Sequence, residues 1–171
     1  MGGRSEKMNT IAAGQKAPEF SLKGTDGKDY SLNAMLKRGP VFVSFFKVSC
    51  PVCQFTFPFI ERLHKRYGSD NVTILGVSQD NLRATKEFNI EYGVLFPVLL
   101  DADGYPTSNA YGLTNVPTSY LIDTEGIVKL TCFGFNKKDL EAIAAELSER
   151  RKIPASAFFR PDESVPDSRP G

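Results

Sequence analysis

The sequence carries almost no net charge: 21 Lys and Arg stand against 20 Asp and Glu, leaving +1 at neutral pH. Such a balance offers no attraction to a phosphate backbone or an anionic membrane, so nucleic acid is not expected as a partner. Long apolar runs are missing too. Val94–Leu100, interrupted by Pro97, falls far short of the ~18 residues that span a bilayer, and no membrane insertion is expected. Ile11-Ala12-Ala13 is the only apolar patch before Lys16, too short for the centre of a signal peptide. As written, the chain reads as cytoplasmic, or as extracytoplasmic if a leader has been removed from it. Tryptophan is absent, histidine occurs once, and three cysteines cannot build a disulfide framework in 171 residues. A zinc site wants four ligands, and only Cys132 and His64 could join Cys50 and Cys53. Neither metal nor other cofactor is expected.

What is present is enough for one domain. The length slightly exceeds the ~150 residues of a typical domain, and 41% hydrophobic residues can form a core. Ala17–Leu22 and Lys28–Leu32 flank a Gly24–Gly27 turn and read as a β-hairpin. Val41–Phe46 reads as a central strand covered on both faces. From Pro51 to Tyr67 the positions Val52, Phe55, Phe59, Ile60, Leu63 and Tyr67 recur at threes and fours, a helical stripe that Gly68 ends. Strand Val72–Val77, helix Leu82–Tyr92, strand Phe96–Leu100, hairpin Ser119–Asp123/Ile127–Phe133 and helix Asp139–Arg150 follow. Alternating strands and helices predict an α/β fold. The expected organisation is a flexible N-terminus at 1–13, one domain at 14–150 and a Pro-rich tail at 151–171. The tail has four prolines and no period, and is expected to be mobile unless Phe158-Phe159 docks it.

Chemistry concentrates at Cys50 and Cys53. Pro51 suits the first helical position, where a missing N–H costs nothing, and this makes Cys50 the N-cap. Its sulfur would face free amides at the positive end of the helix, an environment that favours thiolate over thiol. Cys53 lies one turn deeper, placed to attack a mixed disulfide formed on Cys50. His64 is eleven residues past Cys53 on the same helix, ~16 Å along it at ~1.5 Å per residue. It cannot serve Cys50 as a base, so a Cys–His hydrolase is disfavoured, and it reads as a surface residue. Cys132 alternates with Val128 and Leu130 and reads as a strand residue rather than a third redox thiol.

Phe45-Phe-Lys-Val-Ser-Cys-Pro-Val-Cys53, Pro58 within the helix, and Tyr111-Gly-Leu-Thr-Asn-Val-Pro-Thr-Ser-Tyr-Leu-Ile-Asp123 resemble the thioredoxin superfamily. More narrowly, the chain resembles its redoxin branch, the TlpA-like and AhpC/TSA proteins, over about residues 14–150. The resemblance implies a thioredoxin-like fold: a central mixed sheet, helices on both faces and an extra N-terminal hairpin. It also implies a cis bond at Val116–Pro117 beside the redox pair, with Pro51, Val52, Val116, Pro117 and Thr118 forming the substrate groove. The activity implied is thiol-disulfide exchange with protein disulfide or dithiol substrates, supported by an upstream thiol reductant or oxidant, in cell redox homeostasis.

Three departures matter. Ser49 stands where thioredoxins place Trp, Ser44 where they bury an Asp, and Thr56 where many TlpA-like reductases carry Glu. Both acids accept the proton of the resolving thiol, and neither is present. A peroxiredoxin-like thiol peroxidase is the second reading, but the Thr and Arg that support peroxide cleavage are missing at the matching positions, which hold Cys50 or Lys47 and Pro117. A redox-inactive binding module on the same fold is a third reading, opposed by the intact C-x-x-C.

Overall fold

The computed structural model describes residues 10–154 and 156–171. Its elements run β1 (Ser21–Lys23), β2 (Asp29–Ser31), α1 (Leu32–Leu36), β3 (Val41–Phe46), α2 (Pro51–Tyr67), β4 (Thr73–Ser78) and α3 (Leu82–Glu91). Then come β5 (Val98–Leu100), α4 (Pro106–Ala110), β6 (Thr118–Ile122), β7 (Val128–Phe133), β8 (Phe135–Asn136), α5 (Lys137–Arg151) and β9 (Ser168–Arg169). Five strands form a mixed sheet in the order β5-β4-β3-β6-β7, with β1 and β2 as a separate antiparallel hairpin. This is the thioredoxin-like architecture with the extra N-terminal hairpin that the family resemblance implies.

β3 is apolar except for Ser44 because both of its faces are covered. Every residue of it is buried, between parallel β4 and antiparallel β6. Phe42 and Phe46 point into one core with Phe57, Ile60 and Leu63 of α2 and Leu140 of α5. Val41, Val43 and Phe45 point into a second core with Leu32 and Met35 of α1 and with Tyr111. The sheet thus fixes the C-terminal end of β3, where α2 begins, against the start of β6.

Two expectations need correction. Residues 1–9 of the expected flexible N-terminus lie outside the described residues, but the rest of that segment is attached. The Ile11 amide donates to the Tyr111 carbonyl at 3.0 Å, and its side chain packs on the second core. The tail is docked as well, through the pair of phenylalanines that offered that alternative. Phe158 and Phe159 are buried, the Arg62 guanidinium holds both Glu163 oxygens at 2.7 and 2.8 Å, and β9 pairs with β8. Lack of periodicity misled because the tail is held by a few aromatic and ionic anchors rather than by a regular face.

Candidate active site

α2 starts as Pro51 dictates. Cys50 is its N-cap in extended geometry, and the Cys50 Sγ accepts the Cys53 amide at 3.2 Å, the bond a serine hydroxyl would make at this position. The preceding loop is pinned from outside the motif: the Val48 amide donates to Asp80 at 2.8 Å, and the Gln54 side chain donates to the Val48 carbonyl at 2.9 Å. Neither Asp80 nor Gln54 was singled out from sequence. An Asp after a strand and a Gln in a first helical turn are too common to signal this role.

The two cysteines are free thiols with unequal exposure: Cys50 is half-buried and Cys53 fully buried. Burial, with a smaller contribution from neighbouring Cys50, pushes the Cys53 thiol far above its ordinary value. Facing them is the loop before β6. The Val116–Pro117 bond is cis, and the Cys50 thiol donates to the Val116 carbonyl at 3.5 Å. Pro51 is exposed and Val52 and Val116 are half-buried, so these three can meet a partner at the surface. Pro117 and Thr118 are buried, and the Thr118 hydroxyl donates to the Asn115 carbonyl at 2.8 Å. The Thr118 side chain therefore braces the loop that carries Val116.

No acid waits behind Cys53 at the two positions considered. Ser44 accepts a hydrogen bond from the Ser119 hydroxyl at 2.8 Å, and the Thr56 hydroxyl donates back to the Val52 carbonyl at 2.6 Å. Each hydroxyl is engaged elsewhere. His64 is half-buried against Phe96 rather than on the surface, and its Nδ1 has no hydrogen-bond partner. Cys132 is buried in β7, where loss of solvent pushes its thiol up to about 12. Among the described residues no group of three or more His, Cys, Asp or Glu is placed to hold a metal, and no helix is long and apolar enough to cross a membrane.

A half-buried thiol capping a helix, a fully buried thiol one turn behind it and a cis-proline loop beside them can exchange two electrons between a dithiol and a disulfide. That chemistry on this fold defines the thiol-disulfide oxidoreductases of the thioredoxin superfamily, and the chain is one of them. The chain belongs to the AhpC/TSA family, whose model matches residues 13–131. It is 36% identical over 120 residues to the thiol-disulfide oxidoreductase ResA of Bacillus subtilis, covering 70% of this chain and 66% of that one. With ResA of Geobacillus thermodenitrificans it shares 32% over 137 residues, covering 79% and 78%. A solved thiol:disulfide interchange protein from Chlorobium tepidum superposes with a TM-score of 0.66 at 30% identity, covering 80% of this chain and 97% of that one.

Proposed function

We propose that Cys50 is the attacking thiol and Cys53 the resolving one in exchange with protein disulfides. The observation that carries this is their unequal burial: Cys50 keeps part of its surface exposed, whereas Cys53 keeps none. In the reducing direction the Cys50 thiolate attacks one sulfur of a substrate disulfide and expels the other as a thiolate. Cys53 then gives up its proton and attacks Cys50. A Cys50–Cys53 disulfide forms, the second substrate thiol leaves, and two electrons have passed to the substrate. An upstream thiol reductant restores the dithiol; an oxidant would drive the cycle backwards.

The Val116 carbonyl beside Cys50 supports a groove in which a substrate backbone lies along residues 116–118, over the exposed ring of Pro51 and the side chain of Val52. Cys50→Ser should abolish exchange, whereas Cys53→Ser should accumulate mixed disulfides that run as a higher band on a non-reducing gel. Equal trapping by both variants would remove the assignment of roles.

A further inference from the structure

The chain's own tail runs along α2 and ends against Val116, at one end of the proposed groove. α2 presents Phe55, Phe59, Arg62 and Arg66, spaced four, three and four apart, as a single stripe. The tail follows this stripe from the far end of the helix towards the cysteines. Arg66 donates to the Ala157 carbonyl at 3.1 Å, Arg62 holds Glu163 and lies 5.6 Å over the Phe158 ring, and Phe159 packs on Phe59 at 5.2 Å. Nearer the site, the Arg169 guanidinium lies 4.8 Å over Phe55, two residues past Cys53.

The last contact is with the site itself. The Asn115 side chain donates to the Gly171 carbonyl at 3.3 Å. Gly171 approaches the Val116 peptide so closely that an added Cβ would come within 2.3 Å of the Val116 oxygen. That oxygen is the one 3.5 Å from the Cys50 sulfur. Gly134 makes the path possible, since a Cβ there would come within 2.4 Å of the Arg169 carbonyl.

We propose that residues 168–171 are an intramolecular occupant of the substrate groove, so that a polypeptide disulfide engages Val116 and reaches Cys50 only after this segment lifts. This rests on the reading of residues 116–118 as the groove. The segment is held by a two-residue strand pairing, one cation–π contact and one hydrogen bond from the Asn115 side chain, and it can open without unfolding the domain. Apparent affinity for a polypeptide is then lowered by the fraction of molecules with the groove closed. A small disulfide that makes no backbone contacts escapes the restriction.

The test compares the full chain, a chain lacking 168–171, and Gly171→Val, which cannot seat against Val116. Both altered proteins should reduce insulin at least threefold faster, with the rate towards a small aromatic disulfide unchanged within a factor of two. An unchanged or slower insulin rate overturns the proposal, the slower rate because it would mean the tail assists binding. A separate readout addresses the groove. An insulin B-chain peptide trapped on Cys50 in a Cys53→Ser chain lacking 168–171 should slow hydrogen exchange at the amides of Asn115, Val116 and Thr118. If it does, and the insulin rate does not rise, the groove stands and the tail proposal alone fails. If those amides are unaffected, the groove reading fails and the proposal with it.

Discussion

The burial of Cys53 predicts how resolution should depend on pH. Even at the ordinary thiol value of 9.0 only about 1% of Cys53 would be thiolate at pH 7, and each unit of upward shift removes another tenfold, ~1.4 kcal/mol. The largest cause of the shift is loss of solvent, which persists in the mixed disulfide; the contributions from the Cys50 thiol do not. With Ser44 and Thr56 engaged elsewhere, nothing at those positions takes the proton. The logarithm of the resolution rate should therefore rise with unit slope from pH 6 to pH 9, about a thousandfold, with no plateau. One equivalent of a chromogenic aromatic disulfide, added in stopped flow to the Cys132→Ala chain, separates the steps. The first release reports attack by Cys50 and the second reports attack by Cys53. Levelling of the second phase below pH 8 would mean that Cys53 ionises despite its burial, and the reasoning would fail.

Thr56→Glu places a carboxylate one turn beyond Cys53; it should raise the pH 7 resolution rate at least tenfold and flatten the profile, at a stability cost of about 1–3 kcal/mol read by urea unfolding. Insulin should be reduced much faster than hydrogen peroxide is consumed at equal thiol concentration, with glutathione as the baseline; the opposite order would favour a peroxidase. Arg62 depresses Glu163 to about 2, so the pair adds stability above the unfolded value of 4.5 that is lost as pH falls through about 2. Glu163→Gln should accordingly weaken tail docking by about 1–2 kcal/mol at pH 7, seen as faster amide exchange at 157–169, with the difference shrinking below pH 4.5. Cys53 and Cys132 are both raised above 9.0, so their contribution to stability is complete below pH 9 and falls as pH rises towards their folded values. At pH 11 the loss from Cys132 alone is about 2–3 kcal/mol, enough to make Cys132→Ala more resistant to alkaline unfolding than its neutral-pH stability implies.

The parts of the fold legible in the sequence are those set by local chemistry. Pro51 and Gly68 bound α2 because one lacks an N–H and the other stops the periodic run, and the helix spans Pro51–Tyr67 as read. Asn81 caps α3 by accepting the Ala84 amide, and that helix ends one residue earlier than expected, at Glu91. What escaped is held by distant partners. The strand read through Leu32 gives way there to α1, because Ser31 turns its hydroxyl to the Ala34 amide. α4 is only five residues long, and its N-cap Tyr105 makes no side-chain cap bond. Its support is Asp101, a buried carboxylate accepting from the Thr107 and Ser108 amides at 3.0 and 2.8 Å. Within the site, the cysteines could be located by their place at the helix start, and Pro117 and the missing acids by the family resemblance, whereas Asp80 and Gln54 act on the loop backbone and carry neither signal.

The tail did leave a trace, although on α2 rather than in its own composition. Val52, Phe55, Phe59, Ile60, Leu63 and Tyr67 read as a single stripe, but the helix buries two. Cys53, Phe57, Ile60 and Leu63 meet the core against the sheet, while Phe55 and Phe59 face Phe135 and the tail. A surface helix with one covering shows one apolar face, and a second ridge calls for a second covering. Arg62 and Arg66 continue that ridge, and cations in line with aromatics fit a cover that brings phenyl faces and a carboxylate, as Phe158 and Glu163 do. Because the ridge starts at Phe55, within a turn of the resolving cysteine, a segment that covers its whole length is led to the redox pair. On the proposed reading, access to the site and docking of the tail are coupled by the register of one helix.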